Sequence, residues 1–317
     1  MFPSQMILNL LLVMNLIKNI LLNRNIILVL AVFAGLFFGE YAQYLKKLTV
    51  FLLAFVMAFS TTGISFHAIF PVRKSLKIML YSVVLNYLIF SSVLIFLAWL
   101  IFDDPDLFYG FVVIAASPPG VAVIPFTMIL HGDMNYSIIG ILGVFLISVA
   151  VAPLIIIVFS AGVNVSPLNI ALLMVKVILF PLLISRLLIL KPVYPVVKKI
   201  RGQVVNWGFA VIIFIAVGMN RRAFFSDAEA LIYPAIILII ALFGLGYLYE
   251  LTASFAGIEK SKKISQTLIL TIKSSGFTAT TALALFGEKA ALPSAILSII
   301  VLLYLLHLGF RKDLKHR

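Results

Sequence analysis

The sequence predicts an all-α membrane protein: ten transmembrane helices in two inverted repeats of five, with discontinuous crossing helices at positions four and nine. Three observations predict it. The 317-residue chain is 63% hydrophobic and only 11% charged, with mean hydropathy +1.21, whereas a soluble domain carries about 25% charged residues. Apolar runs recur near the roughly 20 residues a helix needs to cross a bilayer, too long for barrel strands. Two of those runs are interrupted at their midpoints. Ala115–Thr127 reads AASPPGVAVIPFT, and Leu268–Leu285 reads LILTIKSSGFTATTALAL. Paired interruptions in two halves of a chain point to a transporter site.

Taken in order, Met6–Leu22 is apolar but carries Asn9, Asn15, Lys18 and Asn19. It lacks the leading basic residues of a cleaved signal and reads as an amphipathic interfacial helix. Spans follow at about 26–43, 47–69, 76–101, 108–130, 134–160, 166–190, 204–220, 230–254, 263–286 and 289–309. The connections are short, and none hides a soluble domain. The longest, Lys191–Val204, contains Pro192 and Pro195.

Lysine and arginine set the orientation. With the N-terminus inside, sixteen basic residues fall in inside segments and five outside, so both termini are expected in the cytoplasm of a multi-pass cell-membrane protein, as in a prokaryotic inner membrane. The net charge of +13 therefore reads as topology signal in the lipid bilayer, and no nucleic-acid partner is expected. Five spans per half is odd, so the second half enters from the opposite side. The broken fourth span then corresponds to the broken ninth.

Chemistry-bearing residues are few. Cysteine is absent, which removes thiolate metal sites and thiol chemistry. The histidines at 67, 131, 307 and 316 have no in-span carboxylate or paired serine. No nucleophile–base constellation, phosphate loop or metal cluster is expected, so no cofactor and no enzyme. Lys273 stands out. An ammonium at mid-membrane costs about 2.5–3.5 kcal/mol on insertion scales and is usually functional. Two roles are open: a tether, bonding Asn86 and the carbonyls freed at Pro118–Gly120, or attraction of an anionic substrate, with exchange of its proton making protons a partner. Helix starts near Val121 and Gly276 present amide N–H groups that favour anions. Ser274 and Ser275 border the break. Thr271 and Thr278 are expected to bond back to their own helix or a neighbour. Lys176 is an in-span lysine with no clear site role.

Three stretches together resemble the bile acid:sodium symporter family. SPPGVAVIPFTMILHGDMNYSI is similar to that family's Cys-Pro-Gly-Gly-Thr-Ala-Ser-Asn segment, with its Gly-Asp at Gly132-Asp133. SSGFTATTALALFGEKAALPSAI resembles the segment following the family's Glu-x-Gly-x-Gln-Asn motif, and LNYLIFSSVL a segment carrying a glutamine, here Asn86. They align at one constant offset. The resemblance implies a core of spans over about 76–160 and 230–309 and a panel over about 26–69 and 166–220, with substrate held between them. It places Tyr304 at a polar position facing the substrate crevice. The departures lie at the sodium ligands: a Ser-Asn pair becomes Val123 and Ile124, a threonine becomes Ile141 with Ser137 kept, and glutamate, glutamine and asparagine become Ile269, Lys273 and Ser274. Alkyl groups do not ligate a hard cation.

The expected function is a secondary transporter moving a small organic anion by alternating access, independent of sodium, with Lys273 in place of the ion. The expected substrate contacts are Lys273, Ser274, Ser275, Gly276, Pro119, Gly120, Val121 and Tyr304; the expected crossover tether is Lys273, Asn86 and Pro118. Rival readings are a sodium-coupled carrier with re-sited ligands, a relative of auxin or arsenite efflux carriers, and a non-transporting anion receptor on a transporter fold.

Overall fold

A computed structural model describes residues 23–63, 72–120, 122–160, 166–226 and 229–314. The interfacial helix expected over Met6–Leu22 lies outside these, as does Val121. The described residues are overwhelmingly helical. We number α1 Arg24–Phe38, α2 Thr49–Thr61, α3 Arg73–Ile101, α4 Pro105–Ala116, α5 Val123–Ile129, α6 Met134–Phe159, α7 Pro167–Leu188, α8 Tyr194–Met219, α9 Glu229–Phe255, α10 Lys260–Thr271, α11 Ser275–Leu285 and α12 Glu288–Leu314.

Seven helices among the described residues are long and apolar enough to cross a membrane, fewer than the ten crossings expected, of which the fourth and ninth were to be interrupted. The difference has a physical origin. The pieces α4, α5, α10 and α11 hold 12, 7, 12 and 11 residues, each too short to cross alone. The run Ile26–Thr61 is helical throughout its 36 residues, about 54 Å at 1.5 Å per residue against a core of about 30 Å. It does not run straight. Short 3₁₀ turns at Gly39–Tyr41 and Lys46–Leu48 tighten it. Gly35 lies against Val217 and Gly39 against Gly218, whereas Val56 lies against Gly208 and Gly63 beside Arg201. The chain climbs α8 as far as Gly218 and then descends it. Close approach at Gly39 explains the glycine, since a Cβ there would stand 2.7 Å from the Gly218 Cα.

One contiguous apolar core joins the elements. The legs α1 and α2 pack on α8, and α2 also packs on α7. On the other side α3 packs on α6, and α4 and α11 pack on α12, the most enclosed of the long helices. Helix α8 touches α11 and α12 and so joins the two groups. At one end of the molecule Lys46 pairs with Glu288 at 2.9 Å, Arg221 with Glu40 at 3.9 Å, and Lys289 with Asp104.

Three π-helical turns interrupt long helices: Val84–Phe90 in α3, Val175–Leu179 in α7 and Ile240–Gly244 in α9. Such turns often accompany functional sites. Only the first carries a buried polar residue, Asn86.

Candidate functional site

The site begins with two prolines. Pro118 and Pro119 have no N–H to give the carbonyls four residues back, Ile114 and Ala115. Helix α4 stops at Ala116, and Ser117 turns extended with φ −75° and ψ 146°. The freed carbonyls then need partners, because buried polar groups left bare are costly. Each finds one. Ser117 bonds Ile114 O through its amide at 3.2 Å and its hydroxyl at 2.9 Å. Ser91 Oγ donates to Ala115 O at 2.7 Å, and Tyr87 Oη to Ala116 O at 3.3 Å.

The second break crosses the first. Ile272 and Ser274 are extended, and Lys273 forms an isolated antiparallel bridge with Pro119. Gly120 N donates to Ile272 O at 2.9 Å, and Ser274 N to Pro118 O at 3.2 Å. A Cβ on Gly120 would meet Lys273 O at 3.0 Å, so glycine suits this crossing.

Lys273 is 1% exposed, and among the described residues it is the one buried side chain that carries charge. Its Nζ donates to Asn86 Oδ1 and Ser117 O, both at 2.9 Å, and to Asn86 O and Ala115 O, both at 3.2 Å. Four oxygens thus share three N–H groups. Asn86 turns its other amide atom outward, Nδ2 donating to Ile269 O at 3.3 Å. The Tyr87 and Phe90 rings stand 5.2 and 5.0 Å from Nζ, close enough for cation–π attraction. All of these partners are neutral. Oxygen dipoles and ring faces surround Nζ, the kind of surrounding that also suits a small monovalent cation.

Pro118 O accepts from the Ser274 amide rather than from the ammonium. Pro119 deprives Ala115 O, four residues before it, of a donor, and Ser117 O is presented to Lys273 because the chain has left the helix and turned extended there.

A small cavity of about 30 Å³ lies on the other side of the crossing. Gly120, Lys273, Ser274, Ser275 and Gly276 line it from one group of helices, and Leu28, Phe209 and Ile213 from the other, although the Lys273 ammonium is held on the far side of the crossing. None of the four oxygens that hold the ammonium belongs to a lining residue. It has room for only one or two waters. Gly276 lies against the Cδ1–Cε1 edge of the Phe209 ring, closing the space. Tyr304 sits elsewhere: its ring meets Phe243 at 4.8 Å, and its hydroxyl lies against Gly246 near Thr271. Thr271 and Thr278 bond back to Thr267 O and Ser275 O. Lys176 is exposed on the π turn of α7.

Of the positions occupied by alkyl groups in the sequence comparison, Ile124 is half-buried and the other three are sealed. Val123, Ile141 and Ile269 are buried, and Ser137 Oγ pairs with Thr127 Oγ1 at 2.8 Å. No group of three His, Asp or Glu that could hold a metal occurs among the described residues. Ser91, Tyr87 and Phe90 were missed from sequence. Their signal was a polar pair, Asn86 and Ser91, five apart in an apolar span, which matches a π turn and not an α-helix.

A family profile described as the Sodium Bile acid symporter family matches residues 50–259, about two-thirds of the chain. The chain belongs to this family. It is therefore a transmembrane transporter of the sodium bile acid symporter family, and the family suggests organic anions as cargo. The match runs from α2 to the end of the α9–α10 turn and stops before Lys273. No curated protein matches the chain.

Proposed function

We propose that this symporter-family protein is a sodium-independent secondary transporter of a small organic anion, in which the Lys273 ammonium stands permanently where a sodium ion would sit. The observation that carries this is the cage of four neutral oxygens around Nζ at 2.9–3.2 Å. A carrier that captures and releases sodium needs such oxygens open to exchange; here a side chain of the same charge fills them.

The architecture we assign has ten crossings. The reversal at residues 39–48 makes Ile26–Thr61 two legs, and α4–α5 and α10–α11 are each one interrupted span. Five crossings per half then give two inverted repeats, with the interruptions at equivalent places. The core comprises about 76–160 and 230–309, the panel about 26–69 and 166–220. Both termini lie in the cytoplasm. The anion binds where the two groups meet, at Ser274, Ser275, Gly276, Pro119 and Gly120, when the core moves against the panel and enlarges the small cavity. The first amides of α11 face this space and favour negative charge. Lys273 contributes its field from behind the crossing, and its main role is the tether with Asn86.

The test is cation dependence. Purified protein should melt at the same temperature in sodium and in an inert cation at equal ionic strength, and proteoliposomes should take up organic anions equally in both. A saturable, sodium-specific rise in Tm or in flux refutes the reading. Binding without flux would mark a receptor.

A further inference from the structure

A second, larger cavity of about 830 Å³ opens at the basic end of the molecule, away from the crossing. Helices α9, α10 and α12 wall it, with the end of α5 at its rim. Its course follows three helical stripes. Gly246, Glu250 and Ser254 recur every four residues on α9, Thr267 and Thr271 on α10, and Tyr304, Leu308 and Arg311 on α12, so each set shares a face. Tyr304 and Thr271 meet Gly246 further along the same stripes. Ile258, Ile264, Leu268 and Leu308 make an apolar floor.

The mouth is basic. Lys260, Lys263 and Arg311 line it with His131, opposite Glu250 and Glu259. Arg311 is neutralised by Glu250 at 2.5 Å. Glu259 accepts from Ser261 Oγ at 2.6 Å and pairs with Lys262 at 3.8 Å. Lys263 Nζ donates to the neutral Ser254 Oγ at 2.6 Å, and no carboxylate among the described residues pairs with Lys260 or Lys263. Two positive charges are therefore left over an apolar floor. Beside the mouth, Phe255 and Leu251 are exposed on α9, as side chains facing lipid are. The basic-residue rule puts this end in the cytoplasm, where the leaflet is anionic.

We propose that this cavity binds an anionic phospholipid, its phosphate at Lys260 and Lys263 and an acyl chain along Ile258, Ile264 and Leu308. Shape and charge agree: a phosphodiester matches two unbalanced ammonium groups, and Ile258, Ile264, Leu268 and Leu308 offer an acyl chain an apolar surface. The lipid rides on α9, α10 and α12 and wedges the α9–α10 pair away from α12. This site does not depend on the transport reading and survives its failure.

The test titrates detergent-solubilised protein with phosphatidylglycerol or phosphatidylcholine in mixed micelles and reads Tm, which a bound ligand raises by mass action. Phosphatidylglycerol should raise Tm saturably and phosphatidylcholine should not. Lys260→Gln with Lys263→Gln should weaken the apparent affinity about thirty-fold, from about 1 kcal/mol per lysine. Ile264→Trp, which fills the floor and keeps both lysines, should also lose the phosphatidylglycerol response. Lys198→Gln with Lys199→Gln removes equal charge from the same end outside the cavity and should leave affinity within about two-fold. Equal weakening in both double variants would show a diffuse surface potential and overturn the site. So would glycerophosphate alone raising Tm at the same concentration, which would make the ligand a soluble anion, or identical responses to the two lipids.

Discussion

The two interrupted segments look alike and are made differently. In α4–α5 the break is local: Pro118 and Pro119 withhold the donors that a helix would need. In α10–α11 there is no proline, and Ile272–Ser274 is extended only where it bridges Pro118–Gly120 and where the Lys273 ammonium reaches into α4. The N-terminal ends differ in the same sense, and the C-terminal ends in the opposite one. Helix α4 starts with Asp104, whose carboxylate accepts from the Asp106 amide at 3.0 Å and the Leu107 amide at 3.4 Å. Helix α10 starts at Glu259 with no side-chain cap. Helix α11 ends at Gly287 with φ 95°, whereas α5 ends at His131 with φ 58°. One segment carries its own instructions and the other borrows them across the crossing.

The sharpest way to break that contrast is Lys273→Ala. It leaves Asn86 Oδ1 and Ser117 O without a donor, while Ser91 still reaches Ala115 O and Asn86 O. The expected cost is about 2–6 kcal/mol, from about 1–3 kcal/mol per buried orphan. Melting in detergent checks it, and Asn86→Ala should add little once Lys273 is gone. A Lys273→Ala protein that melts normally would show that the second break stands by itself.

The caps give smaller effects. Asp104→Ala should cost about 1 kcal/mol, and Glu259→Ala far less because no cap is lost. Gly287→Ala should also cost about 1 kcal/mol or more, since its left-handed backbone disfavours a side chain. Asp104 adds a pH signature. Partial burial pushes its carboxyl pKa up, but Lys289 and the Leu107 and Asp106 amides outweigh that and hold it below the ordinary value. A depressed pKa gives stability that is present above about pH 4 and lost as pH falls through the folded value. Asp104→Asn should remove that part of the acid sensitivity of Tm; an unchanged acid profile would dismiss the cap.

The smallest expected effect is at His131. Its amide bonds Met128 O at 3.2 Å, and Gly132 N bonds Thr127 O at 2.7 Å, the pattern of a helix end that normally takes glycine at the left-handed position. His131→Gly should raise stability by about 0.5 kcal/mol, strain relief exceeding the entropy glycine brings. A loss of stability would show that the imidazole itself contributes at this end.

This asymmetry governs what the sequence disclosed. Pro118 and Pro119 announce their break, and a lysine among apolar residues announces a site, because both violate what a span normally tolerates. The partners of that lysine were harder to read. The π turn at Val84–Phe90 rotates Ser91 onto the face of Asn86, which a count by 3.6 puts elsewhere. The reversal after Phe38 has no proline to mark it; Lys46 and Lys47 mark the boundary between the first two spans, while helical hydrogen bonding persists through 3₁₀ turns. Tyr304 lies on the α9 side of α12, while Ser298, Leu302 and Leu305 line the small cavity; choosing between adjacent faces of a buried helix requires its neighbours.

The ammonium in its oxygen cage has a thermodynamic consequence. A dissociable ion fills such a cage according to its concentration in the bath, and its departure on the far side of the membrane is how a gradient does work. An ammonium on a four-carbon leash has a local concentration set by the chain and never leaves. Occupancy is one per molecule at every salt concentration. On the sodium-independent reading proposed above, a carrier that cycles with this cage filled draws nothing from a sodium gradient through it, and its net flux follows the electrochemical potential of its cargo and of any proton exchanged with it.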